Sequence, residues 1–271
     1  MPPMDDLSAL TAEVIACRKC PRLAAWREEV AHAKRRAYRD WEYWGRPVPG
    51  FGDPQARVLV VGLAPGAHGS NRTGRMFTGD ASGDFLYPAL YRAGFISDVG
   101  TWVGPGSPDI GPGSPDVGPG SPDPAPARGP VSRDDGLTLR DMYITAVCRC
   151  APPDNKPLPA EMANCQPYLE RELALLRPRI IVVLGRIAFD NILRLYSLPR
   201  AGYLFAHNAV FPLATNLPTT NLPTPNLPTT TPPTWLVCSY HPSQQNTLTG
   251  KLTVAMFDDL WKKVNELRAA L

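Results

Sequence analysis

Residues 57–80 read RVLVVGLAPGAHGSNRTGRMFTGD: an apolar run that stops at a glycine and opens into a polar, glycine-rich loop. Four consecutive apolar residues before Gly62 fit a strand buried on both faces, which an interior position in a parallel sheet requires. Three more runs share this character, MYITAV (142–147), RIIVVLG (179–185) and WLVCSY (235–240). Helical patterns at 83–93, 159–176, 186–195 and 252–270 fall between and after them. Strands alternating with helices predict an α/β protein, a three-layer α/β/α sandwich with a central, mainly parallel four-stranded sheet.

In such open sheets ligands bind outside the carboxyl ends of the strands. The segments expected there are 62–80, 148–157 (CRCAPPDNKP), 185–186 and 241–251 (HPSQQNTLTGK), all polar or rich in glycine and proline. Glycines let a backbone approach a ligand closely, so the loop at 62–80 reads as one that wraps a ligand. It lacks the G-x-x-x-x-G-K-[ST] pattern and contains no lysine, which argues against a phosphate-transfer site.

The 271 residues are read as one domain carrying two low-complexity insertions. One, at about 103–130, holds the repeat GPGSPD; the other, at about 215–233, holds the repeat NLPTT. Neither composition can bury enough apolar surface to offset the entropy of ordering, so both are expected to be surface loops. No apolar run is long enough to span a membrane, and the N-terminal stretch does not resemble a secretion signal, so the expected location is cytoplasmic. In that reducing compartment six cysteines, with Cys17 and Cys20 in C-R-K-C, point to metal or cluster ligation rather than disulfides. Net charge is only +3, but residues 18–46 hold nine Lys/Arg against four Asp/Glu, interleaved with Trp26, Tyr38, Trp41, Tyr43 and Trp44. That mixture suits a phosphate backbone; it equally suits a solvated helix with its aromatic side in the core.

The motifs GLAPG (62–66), RMFTGD (75–80) and HPS (241–243) together resemble the uracil-DNA glycosylase superfamily, in particular its family 5 (type b), a class carrying an iron–sulfur cluster. The resemblance spans roughly 10–100, 131–210 and 234–271. It implies hydrolysis of the N-glycosidic bond of uracil and other deaminated bases in double- and single-stranded DNA, leaving an abasic site, by a chain expected to be monomeric and independent of membranes.

Such an enzyme must extrude a nucleotide, hold its base, and stabilise both a sugar with oxocarbenium character and a departing base anion. By resemblance, Phe77 is the aromatic on which the base stacks, Gly62 and Ala64 line the base site, and His241 donates to the leaving base. Relatives carry a carboxylate or Asn early in the first motif, where this chain has Leu63 and Ala64, so the catalytic carboxylate is expected to be Asp80. An Asp there also fits an N-cap of the following helix. Cluster-containing relatives place a base-reading Asn where this chain has Ala146; Asn155 is the expected replacement in base binding and catalysis, and it also fits an ordinary turn. The expected ligands of a [4Fe-4S] cluster are Cys17, Cys20, Cys150 and Cys165. Cys148 competes with Cys150 by position, and spacing alone leaves zinc open. The alternative from another class is a catalytically silent DNA-damage or nucleotide-binding module with a structural cysteine–metal site.

Overall fold

The computed structural model describes residues 6–98, 132–213 and 234–271. Helices α1 (Leu7–Ala16) and α2 (Pro21–Ala33) come first, followed by β1 (Phe51–Gly52), β2 (Val58–Gly62), a short α3 (Ser70–Thr73), α4 (Ala81–Arg92) and β3 (Ile96–Asp98). Then come β4 (Thr138–Leu139), β5 (Met142–Ala146), α5 (Pro159–Leu176), β6 (Ile180–Leu184), α6 (Arg186–Leu195) and β7 (Val210–Leu213). The chain ends with β8 (Thr234–Ser239), α7 (Gln244–Leu248) and α8 (Val254–Ala269). Both low-complexity insertions lie outside the described residues.

The main sheet has six strands rather than the expected four, in the order β1-β5-β2-β6-β8-β7. The four expected strands form its parallel interior. β1 and β7 add an antiparallel strand at each flank. Neither edge carries a strand signature: β1 has two residues, and β7 contains Pro212, which cannot donate to a ladder. A separate two-stranded ribbon pairs β3 with β4.

Alternation along the strands divides the core. Val58, Val60, Ile144, Ile180, Val182 and Val237 pack with Leu86 and Leu90 of α4 and with Phe257, Leu260 and Trp261 of α8. Their neighbours Leu59, Val61, Tyr143, Ile181, Val183 and Leu236 face the other way, onto Leu169 and Leu173 of α5 and Phe189 and Ile192 of α6. Every residue of β2, β5 and β6 is buried, which is why these strands read as continuous apolar runs. The first and last helices start where capping groups stand: Asp6 accepts from the Ala9 N–H, and Thr253 from the Met256 N–H. Leu10 and Val14 of α1 pack on Tyr168 of α5, so the N-terminal helices lie against the layer that holds Cys165. Among the described residues no helix is long and apolar enough to cross a membrane.

Candidate active site and cysteine site

The β2–β5 pairing continues past the strand ends, with the Val147 N–H donating to the Gly62 carbonyl (3.0 Å) and the Cys148 N–H to that of Leu63 (2.9 Å). Two of the predicted ligand segments thus leave the sheet side by side. The first turns at once into α3, closed by the Asn71 N–H on the Gly66 carbonyl and the Thr73 N–H on that of Gly69.

Phe77 sits over Gly62. A Cβ added to Gly62 would fall 2.6 Å from Phe77 Cζ, so only glycine admits this ring above the end of β2. Phe77 is buried, held at a φ of 54°, and packed into the core beneath the loop. Its ring centroid lies 6.0 Å from that of His241, which follows β8 on the same edge. Gly185, at a φ of 99°, opens α6 below His241, where an added Cβ would meet the His241 Cβ at 3.3 Å. The backbone carbonyl of His241 accepts from Asn246 Nδ2 (2.8 Å), which fixes the turn into α7. Burial pushes the imidazole pKa down to about 4, so the ring is neutral near pH 7.

Asp80 caps α4: its Oδ1 accepts from the N–H groups of Ser82 (3.1 Å) and Gly83 (3.2 Å). Oδ2 points the other way, into the turn between Gly66 and Gly69, and a Cβ added to Gly66 would lie 2.8 Å from it. Capping uses one oxygen and leaves the other in the glycine loop. Burial raises the Asp80 pKa, opposed by the capping N–H groups and by Arg72. Ala64 is half-buried and packs against the second core layer. Asn155 stands apart: it is exposed, at a φ of 56° in a single 3-10 turn (Pro153–Asn155), with its N–H donating to the Pro152 carbonyl (3.3 Å). The structure thus brings Gly62, Phe77, Asp80 and His241 to one edge and gives Asn155 a surface position on the neighbouring loop.

The cysteines gather at the side of this edge. Cys17 ends α1 and Cys20 precedes α2, while Cys150 follows β5 and Cys165 lies in α5. Arg27 Nη1 donates to Cys150 Sγ (3.0 Å) and Asn164 Nδ2 to Cys20 Sγ (3.5 Å). The Cys148 thiol donates to Cys165, which lowers the pKa of Cys165 and raises that of Cys148. Burial pushes the Cys150 thiol up to about 12, against the pull of Arg27. Cys238 is buried in β8, where burial alone pushes its thiol up to about 12. Among the described residues no three His, Cys, Asp or Glu side chains stand in the arrangement of a chelated metal ion.

Two buried ion pairs escaped the sequence reading. Arg75, from the RMFTGD motif, grips Asp135 through both Nη atoms (2.7 and 2.5 Å). Arg149, between Cys148 and Cys150, pairs with Glu172 of α5 (2.6 Å), with Thr145 bonded to both. Arg75 and Arg149 lie inside segments already marked as functional, but nothing local names their acidic partners.

The chain belongs to the uracil DNA glycosylase superfamily, whose family model matches residues 49–265. Within that superfamily it is 44% identical over 263 residues to the type-5 uracil-DNA glycosylase of Thermus thermophilus, covering 97% of this chain and 98% of that protein. The type-5 uracil-DNA glycosylase of Mycobacterium leprae is 43% identical over 271 residues, 97% of this chain and 96% of that protein. That of Pyrobaculum aerophilum is 38% identical over 250 residues, 92% and 88% of the two chains.

Proposed function

We propose that this chain is a monofunctional DNA-repair glycosylase that removes uracil, and with it other deaminated bases, from DNA by hydrolysing the N-glycosidic bond. The observation that carries this reading is the set of an aromatic ring over Gly62, a neutral imidazole facing that ring, and a carboxylate in the adjoining glycine loop. An extruded base stacks along Phe77. His241, uncharged at neutral pH, donates a hydrogen bond to the base oxygen as negative charge develops there, without first giving up a proton. Oδ2 of Asp80 faces the sugar side, where it offsets oxocarbenium charge or orients the attacking water.

The breadth of substrate follows from what the pocket lacks. Strict discrimination needs buried polar groups that a wrong base would leave unpaired. Ala146, Leu63 and Ala64 supply none, and Asn155 reads the base from an exposed loop. Selectivity then rests on how easily a nucleotide leaves the stack, which favours mispaired lesions.

Cys17, Cys20, Cys150 and Cys165 suit a [4Fe-4S] cluster: the donors are all thiols, and Arg27 and Asn164 already donate to two of the sulfurs. When bound, the cluster supplies a covalent tie between the N-terminal helices, the loop after β5 and α5. The partners are double- and single-stranded DNA, the working form is a monomer, and the place of action is the cytoplasm.

The deciding test is single-turnover excision from oligonucleotides containing uracil, hypoxanthine or xanthine, followed by alkaline cleavage. Abasic sites at all three are expected, with Asn155→Ala altering their ranking. Tight binding without strand cleavage would establish the silent module instead, and excision confined to uracil would remove the broader specificity.

A further inference from the structure

Residues 34–46, between α2 and the sheet, hold five cations (Lys34, Arg35, Arg36, Arg39 and Arg46) against Asp40 and Glu42, a surplus equal to the net charge of the whole chain. Among the described residues, Arg35, Arg36, Arg39 and Arg46 have no carboxylate within ion-pairing distance, and all four are exposed. Everywhere else the long cations mostly find partners. Exposed charge of one sign held together against its own repulsion is the mark of a surface for the opposite charge.

The segment is not free to wander. Arg72 of α3 lies under it, with its guanidinium carbon 3.9 Å from the Tyr38 ring centre and 4.2 Å from that of Trp41. The same guanidinium donates to the carbonyls of His68 and Gly79 (both 2.8 Å), and Gly79 immediately precedes Asp80. A second anchor joins the Tyr43 hydroxyl to His68 Nδ1 (3.1 Å) and to the Arg35 N–H (3.4 Å). Backbone bonds from Trp44 to Arg72 and from Gly45 to Asn71 close the attachment (2.9 and 3.0 Å). The loop that carries Phe77 and Asp80 and the basic segment are thus one rigid piece, with Trp41 still 36% exposed above it.

We infer that residues 35–46 form a DNA track beside the pocket, in which Arg35, Arg36 and Arg39 hold backbone phosphates flanking the extruded nucleotide and Trp41 stacks on a neighbouring unpaired base. Arg72 is the positioning residue that fixes this track to the pocket. Because planar rings accept any base, the track adds affinity without sequence preference. The inference rests on the proposed function, which supplies DNA as the partner.

The test is fluorescence anisotropy with uracil-free DNA over a series of salt concentrations, alongside single-turnover excision. Each phosphate contact contributes about 0.9 to the slope of log affinity against log salt. The Arg35→Ala/Arg36→Ala/Arg39→Ala variant should flatten that slope by about 2–3, raise KM, and leave the rate at saturating DNA nearly unchanged. Trp41→Ala should weaken binding to single strands by at least about fivefold, with Trp41→Phe restoring most of it. Should the triple variant fail to fold, Arg39→Ala alone should flatten the slope by about 0.9. A parent-like slope in the arginine variant, or parent-like single-strand affinity in Trp41→Ala, overturns the track. If the parent excises nothing and the slope still flattens, the track stands while the glycosylase reading falls; if the parent excises and the slope is unchanged, the track alone is wrong.

Discussion

The ring of Phe77 occupies the space that a side chain at Gly62 would need: an added Cβ would lie 2.6 Å from Cζ and 2.9 Å from Cε2. Phe77 cannot retreat, since it is buried in the core and has the ring of His241 beside it. Gly62→Ala is therefore expected to displace the ring, lowering excision at least about tenfold and costing about 1–3 kcal/mol of stability by overpacking. Thermal unfolding and single-turnover rates measure the two effects separately.

Asp80 divides its oxygens between a helix cap and the glycine loop. Asn can keep the capping acceptor while losing the charge, so Asp80→Asn should unfold near the parent temperature yet lose at least about a hundredfold in rate on every base. Burial raises the Asp80 pKa, so the ionised form is lost on acidification earlier than for an ordinary Asp, and the rate should fall above the usual range near about 3.9. Asp80→Asn should abolish that acid limb. A variant as fast as the parent would remove Asp80 from the mechanism.

His241 carries a separate pH signature. Its pKa is lowered from 6.5 to about 4 by burial, so below 6.5 the unfolded chain binds a proton that the folded one refuses. Its stability contribution is complete above 6.5 and declines as pH falls towards 4. His241→Gln should lose less stability than the parent over that window in paired denaturation curves, and should lose excision throughout.

Cysteine substitutions separate ligands from bystanders. Purified protein is expected to be brown, with about four iron per chain. Cys17→Ala, Cys20→Ala, Cys150→Ala and Cys165→Ala should each lower iron content and solubility, whereas Cys238→Ala, inside β8, should be mild. Loss of iron in Cys148→Ala but not in Cys150→Ala would reassign the third ligand. Colourless protein with zinc and full activity would overturn the cluster.

Arg75 and Asp135 are both almost wholly buried, and their pair ties the motif loop to the segment entering β4. Burial opposes the Asp135 charge, but the Arg75 fork and the Leu137 N–H outweigh it and hold the pKa below the ordinary value. Stability from this carboxylate is present above the unfolded pKa and lost as pH falls through the lower folded one. Arg75→Ala should destabilise by about 3–5 kcal/mol, because it strands a buried charge.

What the sequence made legible was whatever sits on a continuous apolar run or on a glycine-rich strand end. The four interior strands and the helices that cover them follow from full burial, and Gly62, Phe77, Asp80 and His241 come together because Gly62 ends β2, Phe77 and Asp80 lie on the loop leaving it, and His241 follows β8 on the same edge. Helix α1 left no signature because it buries only Leu10 and Val14, and α2 lies in the segment legible only as basic and aromatic because it mixes charges around its whole circumference. The partners of Arg72, Arg75 and Arg149 lie 31 to 60 residues away or on another helix, and long-range pairing leaves no local trace. Of the two readings of Asp80 the helix cap is seen directly, and because a carboxylate has two oxygens the cap leaves Oδ2 for the proposed catalytic one.

The flanks of the sheet have a consequence for handling the protein at high concentration. β1 offers two residues of edge, and β7 is interrupted by Pro212, so among the described residues neither border presents a long run of open hydrogen-bonding backbone. The buried interior strands, VLVVG and IIVVL, would be strong templates for fibrillar stacking if they lay outermost. Setting them two or more places in from each border keeps concentrated native protein from polymerising strand upon strand, and confines that hazard to chains that have already unfolded.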